Sequence, residues 1–296
     1  MNTKRHFAMS KKVVIQGYPG SFHDEAARKY FKTGIEGIPA DSFDILAQVM
    51  NDRRADYGVM AIENSIAGTL LQNYRILREN NYWISGEVYL RIQHNLLVNP
   101  GVKMEDITEV ESHPMAINQC LEFLSDFPHV KIIESKDTAL SALKLKDKPK
   151  PNRACIASLA AADLYGLEVM NESIETNKAN YTRFFIVSTA KELYDTRKTN
   201  KVTAYIRIPD KKGQLLKVLQ RIEDHDLNLS KLQSFPVIGA FREYFFHMDI
   251  EFDHIDQYFD LKDDILEVTS EYDELGIYAR ADINDAIFAK AKTDPS

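Results

Sequence analysis

Short apolar runs alternate with helical patterns along the first 190 residues. Strands are predicted at 12–17, 35–39 and 57–62, and helices at 22–31, 43–52 and from Ile66 to Glu79. The alternation returns in the segments EVESH, VKIIES and RACIAS, each of which is followed by a helical pattern. Alternation of this kind predicts an α/β fold with mostly parallel sheets.

One segment, WISGEVYLRIQHNLLVN at 83–99, is too long for a single short strand. We expect it to pass from one sheet into a second, and the segment around 177–187 to return to the first. Two such crossings would produce two lobes with a cleft between them. The catalytic domain is then expected at 12–190, with one lobe formed by 12–86 and 174–190 and the other by 87–173.

A different pattern follows the polar stretch KELYDTRKTN at 191–200, which is typical of an interdomain linker. Strands are predicted at 201–208, 227–237, 242–252 and 273–280, and helices at 213–225 and 256–269. The order βαββαβ predicts a small α+β domain of the ferredoxin-like type over 201–281. The lysine-rich segment KLKDKPKP at 144–151 is interpreted as a solvated loop.

The composition excludes several classes of protein. The 296 residues carry a formal net charge of −7, which argues against nonspecific binding of nucleic acid. No apolar stretch approaches the roughly 20 residues that span a bilayer, and the run after the basic N-terminus is too short for a signal peptide. Cys120 and Cys155 lie in apolar contexts, so we expect both to be buried thiols in a cytoplasmic protein.

Three junctions between a predicted strand and a helix carry a serine: GYPGSF with Ser21, IENSIAG with Ser65, and ESHP with Ser112. Each serine is a candidate helix N-cap. Alternatively, the free backbone N–H groups at these helix N-termini could bind a ligand carboxylate. Several such N-termini around one cleft would suit a small polyanion. Because Asp24 follows Ser21 at capping-box spacing, capping is the preferred interpretation for that serine.

Other candidates for chemistry lie at strand ends. Glu63 and Asn64 follow an apolar strand, where ligands bind in open α/β sheets, and Glu63 is a candidate acid, hydrogen-bond acceptor or surface charge. Thr182 and Arg183 begin another apolar strand, and Arg183 is suited either to a carboxylate or to an ion pair. His113 is a candidate general base or a structural hydrogen-bonding group. The sequence contains no P-loop, GxGxxG, HExxH or paired CxxC motif.

Taken in order, the segments GYPGSFHDEAA, AIENSIAGTL, SHPMAINQC, KDTALSA, ACIASLAAADLYGL and NYTRF resemble the prephenate dehydratase family. The C-terminal βαββαβ unit, with DKKGQLLKVL and NLSKLQSFP, resembles the amino-acid-binding ACT domain that follows the catalytic domain in that family. The similarity extends over about residues 12–280. It implies a two-lobed catalytic domain of the periplasmic-binding-protein type, followed by the ACT domain.

The resemblance implies a hydro-lyase that converts prephenate to phenylpyruvate, carbon dioxide and water in phenylalanine biosynthesis, without a metal or organic cofactor. Four segments of this chain correspond to motifs of the family, namely Thr-Arg-Phe, Glu-Asn-Ser, Ser-His-Pro and a glycine-rich loop. The implied catalytic residues are Thr182, Glu63, Asn64, Ser112 and Gln119. The implied substrate-binding residues are Ser21, Phe22, Ser65, Arg183 and Phe184. We expect Thr182 to donate a hydrogen bond to the leaving oxygen, and Arg183 to bind the side-chain carboxylate or to be structural.

The ACT-like unit departs from the family pattern at both of its motifs. Gly213-Gln214-Leu215 stands where relatives have Gly-Ala-Leu, and Gln233-Ser234-Phe235-Pro236 stands where they have Glu-Ser-Arg-Pro. We expect these seven positions to bind phenylalanine as an allosteric effector, more weakly than the full motif does. A domain that only supports dimerisation is the alternative.

The resemblance also leads to expectations about the oligomeric state, the domain content and alternative functions. A homodimer or homotetramer is expected, and no chorismate mutase domain, because only about a dozen residues precede the first strand. Arogenate dehydratase and a non-catalytic sensor of amino acids or anions are the alternative functions.

Overall fold

The computed structural model describes residues 10–32, 34–209, 211–237, 239 and 244–284. The chain forms two compact units. Among the described residues, the first unit contains those in 10–80, 88–186 and 282–284, and the second contains those in 81–87 and 187–281.

Fifteen strands and nine α-helices lie within the described residues. The strands are β1 (Lys11–Gln16), β2 (Ile35–Ala40), β3 (Tyr57–Asn64), β4 (Gly68–Thr69), β5 (Trp83–Arg91), β6 (Asn95–Val98), β7 (Glu109–Ser112), β8 (Lys131–Glu134), β9 (Arg153–Ala157), β10 (Glu168–Asn171), β11 (Tyr181–Ser188), β12 (Lys201–Arg207), β13 (Asn228–Pro236), β14 (Tyr244–Glu251) and β15 (Glu271–Tyr278). The helices are α1 (Phe22–Phe31), α2 (Phe43–Asn51), α3 (Leu71–Glu79), α4 (Pro114–Gln119), α5 (Leu121–Ser125), α6 (Thr138–Asp147), α7 (Leu159–Tyr165), α8 (Gln214–Asp224) and α9 (Ile255–Leu266).

The first sheet has the order β2-β1-β3-β11-β5, with β4 paired to β3. Strand β1 is parallel to both β2 and β3. Its residues Val13, Val14 and Ile15 are fully buried, as expected for a strand covered on both faces. This confirms the predicted α/β alternation.

The second sheet has the order β10-β6-β9-β7-β8. Strand β5 ends in the first sheet at Arg91 and β6 begins in the second at Asn95, while β11 returns to the first. The predicted crossings between two sheets are therefore confirmed. The first of them lies at residues 92–94, later in the chain than the predicted boundary near 86.

The third sheet belongs to the second unit and has the antiparallel order β13-β14-β12-β15. With α8 and α9 it forms the predicted βαββαβ unit of ferredoxin-like topology. The second unit extends beyond the predicted range 201–281, because it also contains 81–87 and 187–200. Trp83, for example, is buried in the core formed by Val218, Tyr258 and their neighbours.

Two local predictions are wrong. The helix predicted from Ile66 begins only at Leu71, because the chain first forms a short hairpin in which Glu63 pairs with Thr69. The segment interpreted as a loop at 144–151 starts inside α6, where Lys144 binds Glu111 at 2.7 Å.

Both cysteines are buried and unpaired, as predicted. In the described part of the chain, no helix is both long enough and apolar enough to cross a membrane.

Candidate functional site

A cavity of about 360 Å³ lies within the first unit and takes residues from both of its sheets. The elements of the first sheet contribute Gln16, Ser21, Phe22, His23, Phe43, Ala61, Asn64, Ala67, Leu70, Thr182 and Phe184. The crossing segment and the second sheet's elements contribute Ile92, His94, His113, Met115, Ala116, Gln119, Lys136, Asp137 and Thr138. A cavity of this size suits a small organic molecule.

Thr182 is held at the cavity wall by Asn64. The Asn64 side-chain oxygen accepts the backbone N–H groups of Ile66 at 3.0 Å and Ala67 at 2.8 Å. Because a backbone N–H can only donate, this determines which way the amide is turned, and its Nδ2 donates to Thr182 Oγ1 at 2.9 Å. An oxygen that accepts from Asn64 keeps its own hydrogen for another acceptor, so the Thr182 hydroxyl can donate to a molecule in the cavity.

The same amide orients a chain of side chains that runs to the second sheet. Asn64 Nδ2 also donates to Asn180 Oδ1 at 2.7 Å, and Asn180 Nδ2 donates to Gln119 Oε1 at 3.0 Å. The Gln119 oxygen additionally contacts His94 Nε2 at 2.8 Å. Since that oxygen is an acceptor, His94 must carry its proton on Nε2. Because the Gln119 oxygen is occupied in this way, its NH₂ group is a second donor at the cavity.

Three helices begin at the cavity. The N-caps are Ser21 for α1, His113 for α4 and Asp137 for α6, and all three residues line it. The first N–H groups of a helix have no partner within the helix and lie at the positive end of its dipole. The sequence raised this convergence only as a possibility, and the structure brings these N-termini together. The Asp137 carboxylate already occupies the N-terminus of α6, so the wall is favourable to an anion where α1 and α4 begin.

Burial dominates the electrostatics of the histidines at the cavity. His23 makes edge contacts with the rings of Phe43 and Phe184, and the loss of solvent around its ring lowers its pKa to about 3. Burial also lowers the pKa of His94, which the hydrogen bond to Gln119 only partly offsets. The pKa of His113 is lowered for the same reason, against the opposing effect of Glu134. All three are therefore held as neutral imidazoles.

Two charged residues line the cavity where α6 begins. Lys136 binds Asp41 with 3.4 Å between Nζ and Oδ2. Asp137 accepts the backbone N–H of Leu140 at 2.8 Å. Burial raises the pKa of Asp137, against the opposing effect of nearby backbone N–H groups.

Of the predicted site residues, the structure brings Thr182, Asn64, Gln119, Ser21, Phe22 and Phe184 together at the cavity. Ser112 does not join them, since it is fully buried and its hydroxyl donates to the carbonyl of Ile156 at 2.7 Å. Nor is it the N-cap of α4, because the cap is the His113 ring.

Ser65, Glu63 and Arg183 also lie outside the cavity lining. Ser65 caps no helix and donates to the carbonyl of Ala179 at 2.8 Å. Glu63 is half-buried in the β3–β4 hairpin. The guanidinium of Arg183 lies over the ring of Phe185, 4.7 Å from its centroid, and is buried there.

His23, His94, Lys136 and Asp137 line the cavity but were not identified as site residues from the sequence. Asp137 lies within KDTALSA, one of the segments that resemble the family. Its position directly before a predicted helix could have identified it as a site residue. His94 lies inside the long crossing segment, and only the fold shows that this segment passes the cavity. In the described residues, no group of three side chains is arranged to bind a metal ion.

A second pocket, of about 200 Å³, lies in the second unit where α8 begins. Gly213 caps α8 with φ +83°, and it lines this pocket together with Gln214 and Leu215. The other lining residues are Ile208, Pro209, Lys211, Leu216, Tyr244 and Phe246.

The motif on β13 does not line the second pocket. Gln233, Ser234, Phe235 and Pro236 pair with β14, and the ring of Phe235 stacks on Phe245 with 5.2 Å between the centroids.

Comparisons with known proteins relate this chain to one family. Residues 13–192 match the sequence profile of the family described as prephenate dehydratase. Arogenate dehydratase/prephenate dehydratase 1 of Arabidopsis thaliana, a chloroplastic protein, is 35% identical over 225 residues, which cover 76% of this chain and 57% of that protein. This chain therefore spans little more than half the length of that relative.

Two solved structures are similar over nearly the whole chain. Prephenate dehydratase from Arthrobacter aurescens in complex with L-Phe has a TM-score of 0.77 and 27% identity, over 91% of this chain and 90% of that one. GqqA, described as a novel type of quorum quenching acylase, has a TM-score of 0.82 and 27% identity, over 93% of this chain and 100% of that one. The family profile begins before Gln16 and ends after Phe184, so it contains every residue that lines the cavity. This chain belongs to the prephenate dehydratase family.

Proposed function

We propose that this protein is a prephenate dehydratase, which converts prephenate to phenylpyruvate, carbon dioxide and water in phenylalanine biosynthesis. The observation that carries the proposal is the Thr182 hydroxyl, oriented by Asn64 at the wall of a cavity that suits a small anion. Membership of the family supports the same assignment.

The reaction needs little from the protein beyond positioning and hydrogen bonding. The bond from the ring to its carboxylate breaks and releases carbon dioxide. The electron pair of that broken bond completes the aromatic ring. At the same time, the bond between the opposite ring carbon and its hydroxyl group breaks. The departing hydroxide takes up one proton and becomes water. Thr182 donates a hydrogen bond to that oxygen as its negative charge develops, which is where such a donor stabilises the transition state most.

The substrate's carboxylates are assigned to neutral and backbone groups. The Gln119 NH₂ group and the N-terminus of α1 at Phe22 supply donors without a full positive charge. A strong ion pair at the ring carboxylate would stabilise the ground state that has to be lost. The burial of Arg183 over Phe185 supports the structural role considered for it, and not a carboxylate clamp.

Glu63, Ser112 and Ser65 are assigned supporting roles in this proposal. Ser112 attaches β7 to β9 through its bond to Ile156, and Ser65 attaches the β3–β4 hairpin to the chain before β11. Glu63 precedes Asn64 in the β3–β4 hairpin, so its assigned role is to support the hairpin that holds Asn64 in place. His94, through Gln119 and Asn180, positions the amides and is not a general base.

The proposal is tested by turnover of the purified protein, after exhaustive dialysis against EDTA, with prephenate and with arogenate. Formation of phenylpyruvate or phenylalanine is followed in each case. Turnover without added metal is expected. Binding of either compound without turnover would instead support the non-catalytic sensor, and a requirement for one divalent ion would overturn the cofactor-free reaction.

For the second unit we propose an ACT-type regulatory domain over 201–281 that binds phenylalanine in the pocket at Gly213. The N–H groups at the start of α8 can take the amino acid's carboxylate, and Leu215 and Phe246 supply an apolar wall. The complex of the Arthrobacter aurescens protein with L-Phe supports this choice of effector. A homodimer or homotetramer in the cytoplasm, as expected from the resemblance, is kept as part of the proposal.

A further inference from the structure

Lys136 places a positive charge at the opening of the cavity. Within the part of the cavity wall that the structure describes, it is the one lysine or arginine. Its side chain is 74% exposed although the residue lines the cavity, so the ammonium group stands where an incoming molecule passes. The neighbouring carboxylate of Asp137 is occupied by backbone N–H groups, both at the start of α6 and at Tyr18.

The ion-pair partner of Lys136 is Asp41, with 3.4 Å between Nζ and Oδ2. Asp41 follows β2 of the first sheet, whereas Lys136 precedes α6 beside the second. Asp41 is 44% exposed, and an ion pair between two exposed side chains contributes little to stability. Asp41 also accepts a hydrogen bond from the Tyr18 hydroxyl at 3.2 Å, so it keeps a partner when Lys136 moves. The flexible lysine stem can therefore exchange Asp41 for another carboxylate.

The two carboxylates of the proposed substrate have different fates. The ring carboxylate is lost as carbon dioxide, and a cation bound to it would stabilise the ground state and raise the barrier. The side-chain carboxylate remains in phenylpyruvate. A cation on that group is bound equally well before and during bond breaking, so it strengthens binding without slowing the reaction. The side-chain carboxylate is therefore the suitable partner for a lysine.

The orientation of the substrate brings that carboxylate towards Lys136. The leaving hydroxyl is on the ring carbon opposite the one that bears both acidic groups. With the hydroxyl at Thr182, which is buried, the acidic end of the molecule points towards the exposed side of the cavity. Neutral donors such as the Gln119 amide leave the substrate's charge uncompensated, and burying an ionised carboxylate is costly unless it is paired. Lys136 adds a charge-assisted hydrogen bond to these donors.

We propose that Lys136 leaves Asp41 and binds the side-chain carboxylate of the substrate. The inference rests on the proposed dehydratase function and adds a substrate-binding residue to it. Lys136 takes no part in bond breaking. Prephenate and arogenate both carry this carboxylate, so the role of Lys136 is the same for either one.

The test compares kcat and KM for prephenate in the wild type, Lys136→Met and Lys136→Arg. We expect KM to rise at least about fivefold in Lys136→Met, while kcat falls no more than about threefold. Lys136→Arg keeps the charge, and its KM should stay within about threefold of the wild-type value. Phenylpyruvate retains the side-chain carboxylate and has lost the ring carboxylate. Its inhibition constant should therefore rise in Lys136→Met by a factor similar to that of KM.

Two further variants separate contact with the substrate from loss of the ion pair and from loss of charge. Asp41→Asn removes the carboxylate that competes for Lys136, so KM should stay at or below the wild-type value. Lys131→Met removes the same charge at an exposed lysine that does not line the cavity, and its KM should stay within about twofold of the wild-type value.

Three results would overturn the inference while leaving the dehydratase function intact. They are an unchanged KM in Lys136→Met, an equal rise of KM in Lys136→Met and Asp41→Asn, and an unchanged inhibition constant for phenylpyruvate when KM rises. Circular dichroism and thermal melting establish that the variants are folded. Failure of the wild type to turn over either substrate would contradict the dehydratase function itself, and the inference with it.

Discussion

Asn64 Nδ2 and Thr182 Oγ1 are joined by a hydrogen bond of 2.9 Å, in which the amide donates and the hydroxyl accepts. The direction of this bond follows from two backbone N–H groups, those of Ile66 and Ala67, that occupy the amide oxygen. A turn of four residues after a buried strand thus determines where the threonine hydrogen points. The first prediction tests this direction.

Asn64→Asp keeps an oxygen for the two backbone N–H groups but removes both donors. The Thr182 hydroxyl should then donate to the new carboxylate and turn away from the cavity. We expect kcat to fall at least ~100-fold, with the free energy of unfolding lowered by about 1–3 kcal/mol. Steady-state kinetics and urea denaturation measure both. Asn51→Asp, at an exposed asparagine bound to Asn80, is the matched control and should retain full activity. Near-normal turnover by a folded Asn64→Asp protein would disprove the orienting role.

Gly17→Ala tests the close approach of Gly17 (φ +92°) to Asp137, since a Cβ atom on Gly17 would lie 2.5 Å from Asp137 Oδ2. The new methyl group would meet the Asp137 carboxylate, so we expect kcat/KM to fall at least tenfold. Gly34→Ala is a suitable control, since Gly34 has a similar φ of +72° but no atom within 4 Å of its Cβ position. Both variants should lose about 1–2 kcal/mol of stability from backbone strain, and only Gly17→Ala should lose activity. Equal activities would show that the close approach has no functional role.

The burial of His23 predicts a specific loss of stability in acid. Its pKa is about 3 in the folded protein, against an ordinary value of 6.5. Between these values the unfolded chain binds more protons, so the free energy of unfolding falls as the pH falls from 6.5 towards 3. At pH 5 this amounts to about 2 kcal/mol relative to pH 8.

His23→Phe should remove that part of the pH dependence, as measured by urea denaturation at pH 8 and pH 5. The exposed His129 provides the control, and His129→Gln should keep the wild-type slope. If His23→Phe and wild type lose equal stability between the two pH values, His23 is not held neutral by burial.

Phenylalanine binding tests the proposed effector site. Calorimetric titration should show binding to the wild type and at least tenfold weaker binding to Gly213→Val, because a side chain at φ +83° distorts the start of α8. Gly166→Ala, at a left-handed helix cap in the first unit, should bind phenylalanine as the wild type does. Absence of binding to the wild type, or equal binding to Gly213→Val, would mean that this pocket is not the effector site.

Much of the architecture could be predicted because it depends on local periodicity. The βαββαβ order and the long crossing segment both follow from runs of apolar residues. The hairpin at β3–β4 could not be predicted, because Asn64 stabilises it through bonds to Tyr181 and Thr182, more than a hundred residues away.

Thr182 and Phe184 were chosen from the Thr-Arg-Phe motif, and strand geometry explains where they lie. Alternation along β11 puts Thr182 and Phe184 on one face and Arg183 and Phe185 on the other, so the cavity receives the first pair and Arg183 stacks on Phe185. Ser112 was misplaced because its partner, the carbonyl of Ile156, is on a neighbouring strand that spacing does not reveal. His94 and Asp137 meet the other side chains only through the packing of two sheets.

The most direct test of the account is the turnover of Thr182→Val, with Thr182→Ser as the matched variant that keeps the hydroxyl. Both are assayed with prephenate and with arogenate, alongside thermal melting. The account predicts a loss of at least ~100-fold in kcat for Thr182→Val with both substrates, substantial activity for Thr182→Ser, and a change of no more than about 1.5 kcal/mol in stability. Near-wild-type turnover by a folded Thr182→Val protein would contradict it.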